Sequence, residues 1–416
     1  MLVQVLLTLL LLSTAKTDDD CRSDKSKLAP VRLRKRLLCD YDKDTRPIRD
    51  HTKPVQLVMQ LMLKYYAYDM HDNSFTIDSW LALRWTDEHL TWNPDDYESL
   101  KRIHLSHTDI WMPDLSIYNR RTQGGDQSAI DSVTCIVANT GQVVCVPSTS
   151  HSTICTSDLT KFPFDTHNCT VRFGSWVHSG EELDLQISKD ALNTDDLIYN
   201  GEWDLIDTNV FKHPGIYKCC PNNTYPSINY SFKIQRISGA HTASVILPAF
   251  ALVIITLVSL WVAPNNPQRL NLCYVNIISE FLYIQYVSWL IPMNGDRVPL
   301  ILLFARDSLL LSAFTIMFSL VLASMVENKK TTPAWISRVV SVLIAFKPGQ
   351  VVLLGDSSFK GLDNEHGDDD VTAIINNKDT TTSLNTEWLM FAKILDRLCF
   401  LIYVIVYLCM FIAFIP

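Results

Sequence analysis

The sequence predicts two domains: an all-β sandwich with an N-terminal helix, followed by an all-α bundle of four transmembrane helices. Two observations predict this organisation. From about residue 55 to 232, short runs of alternating apolar and polar residues are separated by turn residues, which is typical of an immunoglobulin-like sandwich. Beyond residue 243, three strongly apolar runs and one less apolar run follow, each long enough to cross the hydrocarbon of a bilayer.

Composition agrees with partial burial in a lipid bilayer. Hydrophobic residues make up 48% of the 416 and charged residues 19%, which is apolar for a soluble protein. The net charge of −8 argues against a nucleic-acid partner, because phosphate binding requires clustered Lys and Arg. The sequence contains no glycine-rich phosphate loop, nucleophile elbow or HExxH motif, so we expect no enzymatic activity and no cofactor. It also lacks a CxxC pair or His-rich cluster for a structural metal.

The domain order follows from where the composition changes. The expected order is a signal peptide over 1–16, an extracellular ligand-binding domain over 17–240, transmembrane helices 1–3 within 241–326, a cytoplasmic loop with an amphipathic helix over 327–392, and a fourth transmembrane helix over 393–416. Apolar positions among basic residues predict one surface helix within 24–43. Four spans place the N-terminal domain and the C-terminus outside the cell, and Lys and Arg of the 327–392 segment then lie on the cytoplasmic side.

Eight cysteines precede residue 240, an even number that fits disulfide bonding in an oxidising compartment. Cys135 and Cys145 lie on either side of an Asn-Thr-Gly turn, so a cross-strand disulfide is geometrically plausible. Cys21 and Cys39 flank the predicted helix and could pair. Three N-glycosylation sequons fall in the segment predicted to be extracellular, at Asn168, Asn222 and Asn229.

Cys155 and Cys169 enclose thirteen residues, a spacing that fits a disulfide-closed loop but also fits two unrelated thiols. Between them lies the sequence Phe162-Pro163-Phe164-Asp165, and Trp176 follows seven residues after the second cysteine. This combination resembles the signature loop of the Cys-loop family, the pentameric neurotransmitter-gated ion channels. Within that family it looks most like the nicotinic acetylcholine receptor branch, in a divergent, invertebrate-like form, and the resemblance extends over almost the whole chain.

The adjacent cysteines Cys219 and Cys220 can close only a strained ring that stiffens a loop, and pairing with two separate partners is the alternative. The Tyr-x-Cys-Cys-x4-Tyr arrangement resembles the capping loop of acetylcholine-binding alpha subunits, in which the two cysteines are bonded. A quaternary ammonium is best held by aromatic faces, although any single aromatic residue is more often part of a core. The resemblance implies a principal ligand-binding face formed by Tyr118, Trp176, Tyr217 and Tyr225. It implies a complementary face on the neighbouring subunit formed by Trp80, Val144 and Val146.

The second span, residues 270 to 290, is less apolar than the others, and facing its polar residues to lipid would cost several kcal/mol. Helical spacing places one stripe of this span on a single face, and its members, with the residue at the inner mouth, are Gln268, Asn271, Val275, Ile278, Leu282, Tyr286 and Trp289. The stripe either lines a pore or packs within one subunit. The resemblance favours the pore, with Val275, Ile278 and Leu282 as a constriction that closes by dewetting.

The resemblance implies a subunit of an acetylcholine-gated channel in the plasma membrane, expected to be postsynaptic. Its partners would be acetylcholine or another cholinergic agonist, the lipid bilayer, and copies of itself or related subunits in a homo- or hetero-pentamer. Cations are the expected ions, but Gln268 and Trp289 stand where cation-selective relatives usually carry acids. A chloride channel and an accessory subunit that needs partners to conduct therefore remain alternatives. Coupling is expected where the Phe162–Asp165 tip rests on the linker around residues 292 to 298.

Overall fold

The computed structural model describes residues 28–121, 130, 132–156, 158–292, 297–327, 331–345 and 380–414. These residues form two compact units. The first contains the described residues up to 156 and Thr166–Arg236, and the second contains Asp158–Asp165 and the described residues from Ile237 onward. The predicted signal peptide, the predicted Cys21–Cys39 bond and most of the predicted cytoplasmic loop lie outside the described residues.

The first unit begins with helix α1 (Ala29–Leu38), which is shorter than the predicted range of 24–43. Pro30 lies in its first turn, where the missing amide hydrogen costs no helical hydrogen bond. Leu33 and Leu37 are buried in the core of this unit, whereas the basic residues Arg34 and Arg36 between them are exposed. The helix is therefore amphipathic, as its sequence predicts.

Eleven strands form two sheets. The strands are β1 (Val55–Asp69), β2 (Ser74–Thr91), β3 (Arg102–Ser106), β4 (Leu115–Ile117), β5 (Thr134–Ala138), β6 (Thr140–Cys145), β7 (Ser148–Ile154), β8 (Thr166–Ser175), β9 (Leu183–Asn193), β10 (Trp203–His213) and β11 (Ser227–Arg236). Seven strands form one sheet in the order β3-β5-β6-β2-β1-β9, with β7 also paired to β2, and four form the other in the order β10-β11-β8-β4. Only the β1–β9 pair is parallel among the described strand pairs.

Alternating side chains of both sheets meet in one apolar core. In β1, every second residue from Leu57 to Leu63 is buried, and in β11 Tyr230, Phe232 and Ile234 are buried in the same way. This period of two is the pattern that predicts a half-buried strand. The all-β sandwich with an N-terminal helix is therefore confirmed.

Two disulfides join pairs of cysteines that both lie among the described residues of this unit. Cys135 and Cys145 are joined across the β5–β6 hairpin, with their Cα atoms 4.4 Å apart, and Gly141 turns that hairpin with φ +84°. A side chain at this glycine would collide with the Asp87 carbonyl oxygen. Cys155 and Cys169 are also joined.

The second unit is helical. Its helices are α2 (Gly239–Trp261), α3 (Gln268–Leu290), α4 (Leu300–Val326), α5 (Ala334–Ala345) and α6 (Thr380–Phe414). Within the described part of the chain, α2, α4 and the Glu387–Phe414 part of α6 are long and apolar enough to cross a membrane, judged by length and composition. Helix α3 has the length, but its polar residues make it less apolar, as the sequence indicates.

The amphipathic helix predicted within 327–392 continues into the fourth predicted span. Both are part of α6, which is one continuous helix. Its first described side chains pack on α5, with Trp388 and Phe391 against Ile336 and Val340. Apolar contact with α5 buries the amphipathic part of α6, and this packing stabilises it as a continuation of the helix.

The buried face of α3 carries its two charged residues and an asparagine. Arg269 donates from Nη1 and Nη2 to the two carboxylate oxygens of Asp396 on α6, at 2.6 and 2.7 Å, and from Nε to Ser319 Oγ of α4 at 3.0 Å. Asn276 donates to Thr256 of α2 and Ser312 of α4. A charge or amide in apolar surroundings is tolerated only when it is paired, so these bonds fix which face of α3 is buried.

Glu280 completes this buried polar face. Its carboxylate accepts a hydrogen bond from Ser308 Oγ of α4 at 2.7 Å, and that hydroxyl lies 3.2 Å from the Tyr407 hydroxyl of α6. The polar residues of α3 therefore hold it against three other helices. The opposite face of α3 carries mainly apolar side chains, with Gln268 and Asn271 near its first turn.

A buried histidine makes the first unit sensitive to acid. His151 on β7 is 3% exposed, its ring packs 5.6 Å from the ring of Phe173, and neither ring nitrogen has a hydrogen-bond partner among the described residues. Burial, with a smaller contribution from the Arg120 charge, lowers the pKa of His151 to about 4. The folded protein therefore holds this imidazole neutral at pH values where an unfolded chain, with a His pKa of about 6.5, would protonate it.

We predict that acid destabilises the protein partly through this residue. Between pH ~6.5 and ~4 the unfolded state binds a proton that the folded state does not, so the free energy of unfolding should fall by up to about 3 kcal/mol across this range. His151→Leu should flatten the pH dependence of thermal unfolding, followed by tryptophan fluorescence of the detergent-solubilised full chain. His89→Leu, at an exposed histidine, is the control. If the melting temperature of His151→Leu depends on pH as steeply as that of the wild type, the buried imidazole does not contribute to the acid sensitivity.

Candidate functional site

Four aromatic side chains form two ring pairs on loops of the first unit. Tyr118 follows β4, Trp176 follows β8, and Tyr217 and Tyr225 lie in the loop between β10 and β11. The rings of Tyr118 and Trp176 meet edge to face with centroids 6.4 Å apart, and those of Tyr217 and Tyr225 are 6.3 Å apart. Burial raises the pKa of Tyr118 to about 12, with smaller electrostatic contributions from Tyr217, Asp114 and Tyr225. We call Tyr118, Trp176, Tyr217 and Tyr225 the aromatic quartet.

Tyr118 is fixed by a hydrogen bond and by a glycine. Its hydroxyl donates to the Ser175 carbonyl oxygen at 2.6 Å. The hydroxyl end of its ring lies against Gly174 of β8, where a Cβ atom would approach the ring to 2.3 Å. Only glycine leaves room for the tyrosine at this point of the strand.

Asp114 holds the loop that carries Trp176. Its Oδ2 accepts from the amides of Trp176 at 3.1 Å and Val177 at 2.9 Å. Its Oδ1 accepts from Ser175 Oγ at 2.6 Å and lies 2.8 Å from His178 Nδ1. Because the carboxylate binds the backbone and not the indole, the Trp176 ring stays 69% exposed. The sequence places Asp114 in an aromatic turn but does not reveal this function, since the four donors come from a segment about sixty residues away.

The loop that carries Tyr217 and Tyr225 is anchored at its base. The Tyr225 amide donates to the Gly215 carbonyl oxygen at 2.9 Å, and Gly215 has φ +63° with no room for a side chain beside Tyr225. The Gly180 amide donates to the Thr224 carbonyl oxygen at 2.7 Å. The anchored base leaves the exposed Tyr217 at the tip of the loop.

The structure departs from the prediction at the adjacent cysteines. Cys219 and Cys220 are free thiols, with their sulfur atoms 2.8 Å apart, whereas a disulfide needs about 2.05 Å. Cys219 is exposed and Cys220 is half-buried. The bond between them belongs to the proposal below and not to the described structure.

The predicted complementary residues lie elsewhere, on the solvent-facing side of the seven-stranded sheet. Trp80 of β2 is 39% exposed, Val146 is exposed and Val144 is half-buried. Among the described residues, no ring contact joins Trp80 to the aromatic quartet. The sequence does not reveal that Lys64 covers Trp80, with its Nζ 3.8 Å from the ring centroid.

The predicted pore stripe lies on the face of α3 opposite its buried polar residues. All seven positions are exposed or half-buried in the single chain: Gln268, Asn271, Val275, Ile278, Leu282, Tyr286 and Trp289. Arg269 and Glu280 are the only Asp, Glu, Lys or Arg residues of α3, and both are buried. The exposed face of α3 therefore carries no charged side chain.

The tip of the disulfide-closed loop belongs to the helical unit. The Thr160 carbonyl oxygen accepts from the Leu300 amide at 3.0 Å, and the Phe162 ring lies 5.2 Å from the ring of His241 in α2. Asp158 and Arg297 approach to 4.0 Å. Phe162 and Asp165 are buried, and Pro163 follows a cis peptide bond. Part of the predicted contact, residues 293–296, lies outside the described residues.

One predicted glycosylation site is wrong. Asn168 and Asn222 are exposed, but Asn229 is 4% exposed on β11, between β8 and β10, and accepts a hydrogen bond from Ser227 Oγ. A glycan cannot attach to a side chain enclosed in this way without opening the sheet. As to metals, no three His, Cys, Asp or Glu side chains gather into a metal-binding group within the described ranges.

A β-sandwich with exposed aromatic rings at loop tips, joined to apolar helices, defines a multi-pass membrane protein with an extracellular ligand-binding domain. The family model for the neurotransmitter-gated ion-channel ligand binding domain matches residues 30–238. The chain therefore belongs to the neurotransmitter-gated ion-channel family, and its similarity is to nicotinic alpha-type subunits.

The curated relatives specify this similarity. The chain is 30% identical to the neuronal acetylcholine receptor subunit alpha-3 of Bos taurus, over 80% of this chain and 66% of that protein. It is 28% identical to the same subunit of Carassius auratus, over 85% and 69%, and 26% identical to the acetylcholine receptor subunit alpha of Danio rerio, over 77% and 69%. The matched part thus spans about two thirds of the length of these relatives.

We predict that Asp114→Asn loosens the Trp176 loop. An amide replaces one acceptor oxygen with a donor, so bonds from the amides of Trp176 and Val177 are weakened, at about 1.5–3 kcal/mol for hydrogen bonds to a charged group. Amide hydrogen exchange of the peptide spanning 175–178, followed by mass spectrometry on the full chain, should accelerate at least about tenfold.

The control for this experiment is Asp109→Asn. Asp109 is also partly buried, but it binds the Arg34 and Thr108 side chains and no backbone amide of the Trp176 loop. If both variants exchange like the wild type at 175–178, the Asp114 carboxylate does not hold the loop.

Proposed function

We propose that this chain is a subunit of a pentameric channel gated by acetylcholine or another cholinergic agonist. The agonist binds in an aromatic cage at the boundary between two subunits, and the pore is lined by α3 from each subunit. The observation that carries the proposal is the aromatic quartet, two ring pairs carried by three loops of one unit, with the Trp176 ring largely exposed. An onium group donates no hydrogen bond, and aromatic faces attract it by about 0.5–2 kcal/mol each.

The second half of the cage is proposed to come from a neighbouring subunit. Trp80 lies on the other sheet from β8 and β11, exposed and without a ring contact to the quartet among the described residues. One chain therefore offers two incomplete halves, and an assembly that places them face to face completes the site. Because the chain carries both halves, a homo-pentamer and a hetero-pentamer with related subunits are both compatible with it.

The pore is proposed to follow the exposed stripe of α3. Val275, Ile278 and Leu282 lie on it, and rings of such side chains form a hydrophobic constriction that closes by dewetting. Helix α3 keeps this face free because Arg269, Asn276 and Glu280 are bonded on the other.

Coupling is proposed to pass through the loop between Cys155 and Cys169. Its tip contacts the start of α2 through Phe162 and the start of α4 through Thr160. Agonist favours opening only if it binds the open state more tightly than the closed state. A bond between Cys219 and Cys220 would stiffen the loop that closes over the agonist. A postsynaptic membrane is the proposed location.

The aromatic cage is tested with Trp176→Ala. We expect this variant to lose the acetylcholine-evoked current in oocytes while its surface expression is unchanged, because the Trp176 ring contacts agonist and contributes little to the core. Val177→Ala is the matched control, since Val177 lies on the same loop and is also 69% exposed. Unchanged acetylcholine sensitivity in Trp176→Ala would reject the site.

Ion selectivity is tested by reversal potential. We propose that cations pass, so replacing external sodium with N-methyl-D-glucamine should shift the reversal potential to negative values, and replacing chloride should not. Since the exposed face of α3 has no charge, Gln268→Glu should increase cation preference by adding a carboxylate ring, whereas Ser279→Ala should not. A shift on chloride replacement would instead identify an anion channel.

The uncharged α3 face also favours a second candidate, an accessory subunit whose partners supply the charged rings. Current only after co-expression with a related subunit would support that function over a homomeric channel.

A further inference from the structure

A lysine already occupies the aromatic face that the complementary half of the cage would offer. Lys64 Nζ lies 3.8 Å from the Trp80 ring centroid and donates to Asp196 Oδ2 at 3.0 Å. An ammonium at this distance over an indole is a cation–π pair. A second cation on the same face would meet both a filled site and a like charge.

The strand register places Lys64 beside Trp80. Met62 of β1 is the direct partner of Trp80 on β2, and Lys64, two residues further along β1, lies on the same face of the sheet as Met62. A diagonal neighbour of this kind is within reach of a long side chain. The register shifts between Leu63 and Tyr65, so Tyr65 also faces outward, next to Lys64.

The loop after β9 holds the lysine in place. Strand β9 runs parallel to β1 up to the pair Met62–Asn193, and the Ile198 amide then donates to the Lys64 carbonyl oxygen at 2.8 Å. This bond positions Asp196, two residues earlier, beside the Lys64 ammonium. Asp196 is largely exposed and Lys64 is partly buried, so the pair opens on the solvent side.

The hydrogen-bonding capacity of the Lys64 ammonium determines which ligand groups can approach Trp80. The ammonium has three N–H donors. One binds Asp196, and the group lies over the Trp80 ring. The remaining donor capacity is directed toward solvent. A ligand approaching this side therefore meets a hydrogen-bond donor on top of an aromatic ring. An ester or carbonyl oxygen is attracted to it, and an onium group is repelled.

We propose that Lys64 is a specificity-determining residue of the complementary half. It orients the agonist so that the onium group enters the aromatic quartet, and the uncharged, hydrogen-bond-accepting end faces Trp80 of the next subunit. This inference rests on the proposed function, and it predicts that Lys64 makes the site discriminate between onium ligands with and without an acceptor group.

The test compares acetylcholine, which has both parts, with tetramethylammonium, which has only the onium. Currents from the full chain in oocytes and calorimetric binding to the purified full chain are measured for the wild type and Lys64→Met. Removing the ammonium frees the Trp80 face and deletes the donor, so tetramethylammonium should gain about tenfold in apparent affinity while acetylcholine gains nothing or loses. The affinity ratio between the two ligands should therefore fall at least tenfold.

Two variants control for charge and folding. Lys64→Arg keeps a donor and a cation over Trp80 and should retain the wild-type ratio. Lys212→Met removes a lysine from another Lys–Asp pair, with Asp184 at 2.6 Å, and should also retain it. Equal ratios in wild type and Lys64→Met overturn the inference while the proposed function stands. Failure of both ligands to bind to any variant overturns both.

Discussion

A polar group removed from water must find a partner within the protein, and this constraint shapes both surfaces proposed to be functional. In the first unit, one carboxylate at Asp114 accepts from four donors of the segment 175–178. This fixes the backbone there and leaves the Trp176 ring free. In the second unit, Arg269 is enclosed by Asp396 and Ser319. An uncompensated charge in such a place would cost several kcal/mol, so α3 has one stable orientation.

The two surfaces have a common feature: each is incomplete in one chain. The aromatic quartet presents exposed rings, and α3 presents an apolar stripe that no described helix of the same chain covers. Large apolar side chains in contact with water are unfavourable by roughly 25 cal/mol per Å², and contiguous exposed patches mark interaction surfaces. Symmetric association of copies or relatives would cover these surfaces. The family relationship and the exposed side chains thus lead to the same kind of assembly.

Some features were predictable because they depend on local pattern. The alternation in β1 and β11 predicts buried strands, and the Cys135–Cys145 spacing around a tight turn fits the observed hairpin. Other features depend on residues far apart in sequence. The burial of Asn229 follows from its neighbours on β8 and β10, the continuity of α6 from its contact with α5, and the ion pair of Lys64 from a loop about 130 residues later. The amino-acid sequence of a sequon, or of the residues around a lysine, does not indicate whether the side chain faces solvent or a partner strand.

By itself, the sequence determined the two-domain division, the family, the aromatic residues of the quartet and the polar character of α3. These properties depend on residue type and short-range period, which are local. The tertiary structure alone decided which face of α3 is free, which carboxylate holds Trp176, and that Trp80 is already covered by a cation. Each of these depends on which distant group contacts a particular side chain. Hydrogen bonds and ion pairs act over a few ångströms in space, whatever the separation of the two residues along the chain.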